Sequence, residues 1–426
     1  MPLRPARSSA RPPARAARRG RPALMIVALI LVALNLRLAI TSAASLLTLL
    51  TQAGALNSVT VVLIPAIPTA VFALAGLSTA RLAARWGVER TVALGMALLT
   101  AGLLIRAVPE PWVVVLGTVV ATGGLAVVNI LLPAVVRAHF GRSIGTVTTV
   151  YSTAMSLGAA TAAATAVPIA LALGSPTLGL AAWALPAAVA LAVWACVMPL
   201  RGPRAGSGPA AAVGEPGETR AARSREPLPA GTWLLAAFFA MQSLLSYVVM
   251  GWLPSIATAA GVSSERSGLL LGIAMAVGVP ATVIIVPLTR GVKRMRLGFL
   301  IVGAASLTGM LGMLLAPLAM PEVWAAFIGL GMCAFPIALA LIATLGRDAA
   351  ESARVSTTVQ SIGYTVATLG PLGAGALHQA TGGWTLVLVL LMVVATAQVV
   401  VGLVLTQVIG SRRASVRVDP APEPRP

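Results

Sequence analysis

Twelve apolar runs, each long enough to wind about 20 residues of helix through a bilayer, leave this chain few ways to fold. They fall at 23–50, 58–80, 91–108, 112–136, 144–172, 177–200, 231–257, 264–289, 297–317, 321–345, 354–378 and 383–409, with short polar breaks between them. A segment inside hydrocarbon must satisfy its own backbone hydrogen bonds, and a helix does so internally. A soluble domain of 426 residues that is 58% hydrophobic and 10% charged has no interior large enough for so much apolar surface. Strands of a membrane barrel would appear as short alternating segments instead. The sequence therefore predicts an all-α, polytopic membrane protein with twelve transmembrane helices.

The net charge of +19 invites a nucleic-acid partner, but the placement of the charges argues against one. Of the 30 Lys and Arg, 27 lie in the two termini and in the connections after the second, fourth, sixth, eighth and tenth runs. That is the positive-inside pattern. It predicts a multi-pass protein of a bacterial-type plasma membrane with both termini in the cytoplasm. The basic segments then face anionic lipid heads. Arg106 and Arg266, at the edges of their runs, are assigned to the loops on the opposite side, which leaves Arg37.

The leader 1–22, rich in Arg, Pro and Ala, reads as a disordered cytoplasmic arm. The apolar stretch after it is too long for a typical signal peptide. Residues 201–230 form the longest internal polar stretch and separate a six-helix bundle at 23–200 from a second at 231–409; residues 410–426 form a cytoplasmic tail. Cys196 and Cys333 both fall in helices, which speaks against a disulfide or a metal site.

The two halves resemble each other. Thr148-Thr149-Val150-Tyr151-Ser152 matches Thr357-Thr358-Val359-Gln360-Ser361, Gly141-Arg142 matches Gly346-Arg347, and Ala53-Gly54 matches Ala260-Gly261. The common offset carries the signal, since each match alone is weak. Six helices return the chain to the same side, so the halves are parallel repeats. That is the major facilitator arrangement, with solute bound at the midplane between halves that rock. Prolines within the runs (Pro65, Pro68, Pro133, Pro168, Pro254, Pro280, Pro287, Pro336 and Pro371) permit kinks, although packing in lipid accounts for many of them.

Arg37 sits near the middle of the first run, with no acid in that run to pair with it. A cation at mid-bilayer depth costs roughly 2.5–3.5 kcal/mol on insertion scales. It needs a partner, a watery cavity or a ligand, and its sign favours an anionic or electron-rich occupant. The alternative is a structural cation bonded to helix-end carbonyls. None of the eleven acidic residues lies in the interior of a span (Glu265 and Glu322 are at the very edge of theirs), so a coupled proton would have to travel on the solute or use His378. With no intramembrane cluster of His, Asp and Glu, neither an enzyme nor a bound cofactor is expected.

Polar and aromatic residues from five helices complete the candidate site. Thr41 shares the Arg37 face, and Asn129 lies one turn before Pro133, which cannot cap its carbonyl. The fifth helix offers Tyr151, the seventh Gln242, Tyr247 and Trp252, and the eleventh Gln360 with Tyr364 one turn on. Asn35 points away from Arg37 and is expected to bond a neighbouring helix. Interhelical glue is the competing role for Asn and Gln, and belt or core packing for Tyr and Trp.

Several segments carry a closer resemblance. They are Asn35-Leu36-Arg37 with Ala39-Ile40-Thr41-Ser42, Asn129 through Ala134, Gln242-Ser243-Leu244-Leu245, Trp252-Leu253-Pro254, Phe335-Pro336, Arg347-Asp348-Ala349, Gln360-Ser361 with Gly363-Tyr364, and Thr381-Gly382-Gly383-Trp384. In these the chain resembles the cyanate and 2-nitroimidazole transporter family of the major facilitator superfamily. The resemblance covers about residues 23 to 410. It departs at Leu38, where the family often has Pro, and at Ala84, where the superfamily loop usually carries an acid before Arg-x-Gly. The resemblance implies transport of a small anionic or nitro-bearing solute, with a drug-efflux facilitator of the same fold as the alternative. A lone buried cation weighs against cationic drugs.

Overall fold

The computed structural model describes residues 20–140, 143–197, 228–289, 291–346 and 349–418. The expected leader up to residue 19, most of the 201–230 linker, the far end of the tail and the motif residues Gly141, Arg142, Arg347 and Asp348 lie outside the described residues.

The described chain is helical: α1 (Gly20–Gln52), α2 (Ser58–Trp86), α3 (Val88–Ile105), α4 (Pro111–Phe140), α5 (Ile144–Ala172), α6 (Pro176–Ala181), α7 (Ala184–Val197), α8 (Thr232–Ala259), α9 (Ser264–Ile285), α10 (Val292–Leu315), α11 (Pro321–Gly331), α12 (Ala334–Leu345), α13 (Ala349–Thr381) and α14 (Thr385–Val418). Among the described residues, eleven helical stretches are long and apolar enough to cross a membrane, with α6–α7 and α11–α12 each forming one. The remaining predicted run, 354–378, lies inside α13, which has the length for a crossing at 33 residues but is too polar to qualify by composition.

Three features differ from the sequence expectation. The sixth and tenth runs are broken helices rather than continuous ones. Pro186 and Pro336 are each the third residue of the second piece, so each denies an N–H to the carbonyl four residues back. The chain answers with tight turns, Leu185 N–H to Ala182 O and Phe335 N–H to Met332 O, both 3.1 Å. α1 and α14 also run past the expected edges at 23 and 409. The third difference is Arg106, described below with the site.

Glu89, Glu265, Glu322 and Glu351 all sit in the first turn of a helix, where exposed N–H groups favour negative charge. Glu322 also takes a two-pronged contact from Arg266 at 2.5 and 2.9 Å, which ties α11 to α9. Helices pack at backbone distance where glycine allows it. A Cβ at Gly102 would strike the backbone of Ala121, and one at Gly124 the carbonyl of Gly95, so α3 and α4 touch directly.

One apolar core runs through the first half and into the second half at the end of the bundle away from the termini. A separate core (Leu235, Phe238, Ile285, Met295, Leu345, Val355 and Leu405) belongs to the second half alone. These residues lie at the ends of their helices nearest the termini. Contacts between halves gather at the far end: Gly251 against Pro65, Gly375 against Val62, Gly268 against Ala163, and Gln379 donating to the Ser58 carbonyl. The bundle is therefore closed at the far end and parts toward the end that carries both termini.

Candidate functional site

The accessibility of α1 changes abruptly at one residue. Leu31, Leu34 and Arg37, at helical spacing, are half-buried; Leu38 through Leu47 are buried without interruption. α8 repeats the pattern. Met241, Leu244 and Tyr247 are half-buried, then Val248 through Pro254 are all buried. Arg37 and Tyr247 are thus equivalent stations in the two halves, each the last open position before its helix enters the closed end. The Arg37 guanidinium also lies within electrostatic reach of the phenols of both Tyr247 and Tyr364. Because the three residues come from both halves, the half-buried stripes border the space between them.

Aromatic rings back this meeting point. Tyr247 and Tyr364 pack edge-on with centroids 6.5 Å apart. Tyr364 also packs edge-on with Phe239 at 5.6 Å, and Phe239 meets Phe335 at 5.4 Å. Edge-to-face contacts of this kind hold ring orientation. Phe239 and Phe335 were not among the predicted site residues. Phe239 lies two helical turns before Tyr247, so spacing alone could have flagged it.

The Arg37 side chain makes no hydrogen bond or ion pair with another described residue. Asn129 on α4 is half-buried, and its side chain likewise has no such partner. Tyr151 on α5 and Gln360 on α13 are half-buried, and Gln360 donates to Ser356 Oγ at 2.6 Å.

Three predicted residues are occupied elsewhere. Thr41 is fully buried and donates back to the Arg37 carbonyl at 3.2 Å. Gln242, 1% exposed, donates to Ser246 Oγ at 2.9 Å and to Met332 O at 3.3 Å, and accepts from Gln398 Nε2 at 2.6 Å. Met332 O is the carbonyl that Pro336 cannot cap, so Gln242 fastens α8 to the α11–α12 break and to α14. Trp252 donates its indole N–H to Pro371 O at 3.0 Å and packs on Trp384, which stacks on His378 with centroids 4.1 Å apart. Asn35 bonds a neighbouring helix as expected, donating to Leu31 O at 2.8 Å and to Pro186 O at 3.4 Å.

Arg106 corrects the charge reading. It does not sit in an open connection: it is fully buried, and its Nη1 donates to the Ala39 carbonyl of α1 at 3.0 Å. Arg37 is therefore not the sole cation in the interior. Gly117 makes room for this burial, because a Cβ there would lie 2.9 Å from Arg106 Cγ.

Comparison with known proteins agrees with this architecture. Residues 25–371 match the family model of the Major Facilitator Superfamily. The chain is 30% identical over 387 residues to the 2-nitroimidazole transporter of Escherichia coli (strain K12), covering 89% of this chain and 94% of that protein. It is 27% identical over 362 residues to the cyanate transport protein CynX of the same organism, covering 84% and 91%. Among solved structures, a bacterial homolog of the human lysosomal transporter Spinster in an inward-facing, occupied conformation superposes with a TM-score of 0.69 at 14% identity, over 95% of this chain and 99% of that one. At that identity the likeness speaks to fold alone.

Proposed function

The chain belongs to the Major Facilitator Superfamily, and we propose that it moves a small anionic or nitro-bearing solute, cyanate-like or nitroimidazole-like, across the plasma membrane by alternating access. That it carries small solutes follows from its relatives. The solute class rests on one observation: Arg37, a cation with no hydrogen-bond or ion-pair partner among the described residues, ends the open stripe of α1 within electrostatic reach of Tyr247 and Tyr364. A guanidinium presents planar, paired donors to carboxylate-like or nitro oxygens. Hydrogen bonds assisted by its charge are roughly twice as strong as neutral ones. Tyr247 and Tyr364 supply an aromatic wall and phenol donors, with Asn129, Tyr151 and Gln360 as further polar lining.

A solute at this level is shielded from the far end by the buried turns of α1 and α8. It is open toward the termini, which the positive-inside pattern assigns to the cytoplasm. Rocking of the halves would exchange the two accesses. The relatives named for 2-nitroimidazole and cyanate support this solute class.

Proteoliposomes loaded with the purified protein provide the test, with labelled cyanate and labelled 2-nitroimidazole as probes. Wild-type vesicles take up at least one of them. Arg37→Ala and Arg37→Lys lower that uptake at equal protein incorporation, Lys because it loses the paired donor geometry. Normal uptake by Arg37→Ala would remove the guanidinium from solute binding.

A further inference from the structure

Tyr364 is half-buried and within electrostatic reach of Arg37, so the place its ring takes governs the room left for a solute there. That place is set from behind. Phe239 of α8 is fully buried and packs edge-on against Tyr364, with centroids 5.6 Å apart and ring planes 80° apart. The slot that admits Phe239 is a missing side chain: Gly363 immediately precedes Tyr364 on α13, and a Cβ there would overlap the Phe239 ring at Cδ1 and Cε1. Phe239 also meets Phe335, with centroids 5.4 Å apart. Phe335 is the second residue of α12, just past the turn that breaks the tenth run.

These rings belong to the core of the second half. Phe239 is one of its buried members, and Phe335, Ile362 and Tyr364 pack on it. An interior packed in this way yields little to a guest. The aromatic wall therefore travels with the second half when the halves rock, whereas Arg37 travels with the first. A wider solute needs Tyr364 to lean back, into space that Phe239 already fills.

We propose that Phe239, seated by Gly363, is a positioning residue that fixes the Tyr364 ring and thereby sets the width of solute the site admits. The first half recognises charge through Arg37, and the second half recognises width through the stack of Phe335, Phe239 and Tyr364. The class selected is a thin anion or a single planar ring bearing a nitro group, and fused two-ring analogues are excluded. This rests on solute binding beside Arg37.

The experiment follows uptake into proteoliposomes of whichever labelled solute, cyanate or 2-nitroimidazole, the wild type carries, with 2-nitrobenzimidazole as a wide competitor. The wild type is inhibited weakly. In Phe239→Leu the inhibition strengthens about tenfold, the scale on which a pocket senses a small change in filled volume. The KM for the labelled solute rises and the maximal rate holds. Should Phe239→Leu fail to fold, Phe335→Leu loosens the same stack from its other end and shifts the competition in the same direction. A purely structural role would lower incorporation or maximal rate and leave the competition unchanged, and that result in both variants overturns the proposal. If Arg37→Ala abolishes uptake in the same assay, solute binding at Arg37 survives that outcome. Normal uptake by Arg37→Ala, or wild-type vesicles that take up neither solute, overturns both.

Discussion

Arg37 and Gln242 show how differently two polar residues in neighbouring helices can be used. Both stood out in the sequence as polar groups inside apolar runs. Arg37 has no hydrogen-bond or ion-pair partner among the described residues and sits at the edge of an open stripe, whereas Gln242 is saturated by Ser246, Met332 and Gln398. Period and composition identified the residues but could not separate these roles. One partner of Gln242 is the carbonyl of Met332, ninety positions away, which Pro336 cannot cap, and another, Gln398, lies in a helix with no other mark of a site. Gln242→Ala is expected to strand the buried Gln398 amide, costing on the order of 1–3 kcal/mol of stability. The melting temperature should fall while the KM for the transported solute stays the same. An unchanged melting temperature with a raised KM would return Gln242 to the binding surface. Arg106 was misassigned for a related reason: it falls at the edge of its apolar run, and the absent side chain of Gly117 makes room for it to turn inward.

Helices carry the signal that sequence reads best. Each apolar run has a helix in the structure, and the register of the half-repeat brings Arg37 and Tyr247 to matching stations. The turns within the sixth and tenth runs escaped because their hydropathy is uninterrupted, and a Pro within a membrane helix is commonly tolerated without a break. Contacts between helices were less legible still, since they depend on which glycine faces which neighbour. Gly251 is the clearest case: a Cβ there would stand 2.6 Å from Pro65 Cβ, closer than side chains pack. Gly251→Val is therefore expected to wedge α8 away from α2 and disfavour closure at the far end. Ala44, buried in the wild type, then becomes reachable. A cysteine placed there (Ala44→Cys) should react with an impermeant thiol reagent from the far side in the Gly251→Val background and stay protected with Gly251 intact. Equal protection in both would show that Gly251 does not govern the seal.

At the scale of the whole molecule, the two cores and the charge pattern make independent statements that can be tested together. The cores say that the halves part at the end bearing the termini. The basic residues say which compartment that end faces, by a rule about insertion rather than packing. The second statement is an expectation from sequence alone, and sequence holds none of the first, because an opening between halves leaves no trace in the period of any single helix. Leu34 lies one turn before Arg37 on the open stripe, and Ala44 lies in the closed part of the same helix. In a Cys196→Ser background, which removes the exposed native thiol, Leu34→Cys should be labelled by an impermeant reagent in inverted vesicles. It should be spared in right-side-out vesicles when no solute is present. Labelling of Leu34→Cys only in right-side-out vesicles would mean that the end bearing the termini faces outward, against the charge rule. Protection in both preparations would mean that the halves meet at both ends. If labelling is confined to inverted vesicles, adding the transported solute to the opposite compartment should slow it, because each turnover spends time with the stripe closed.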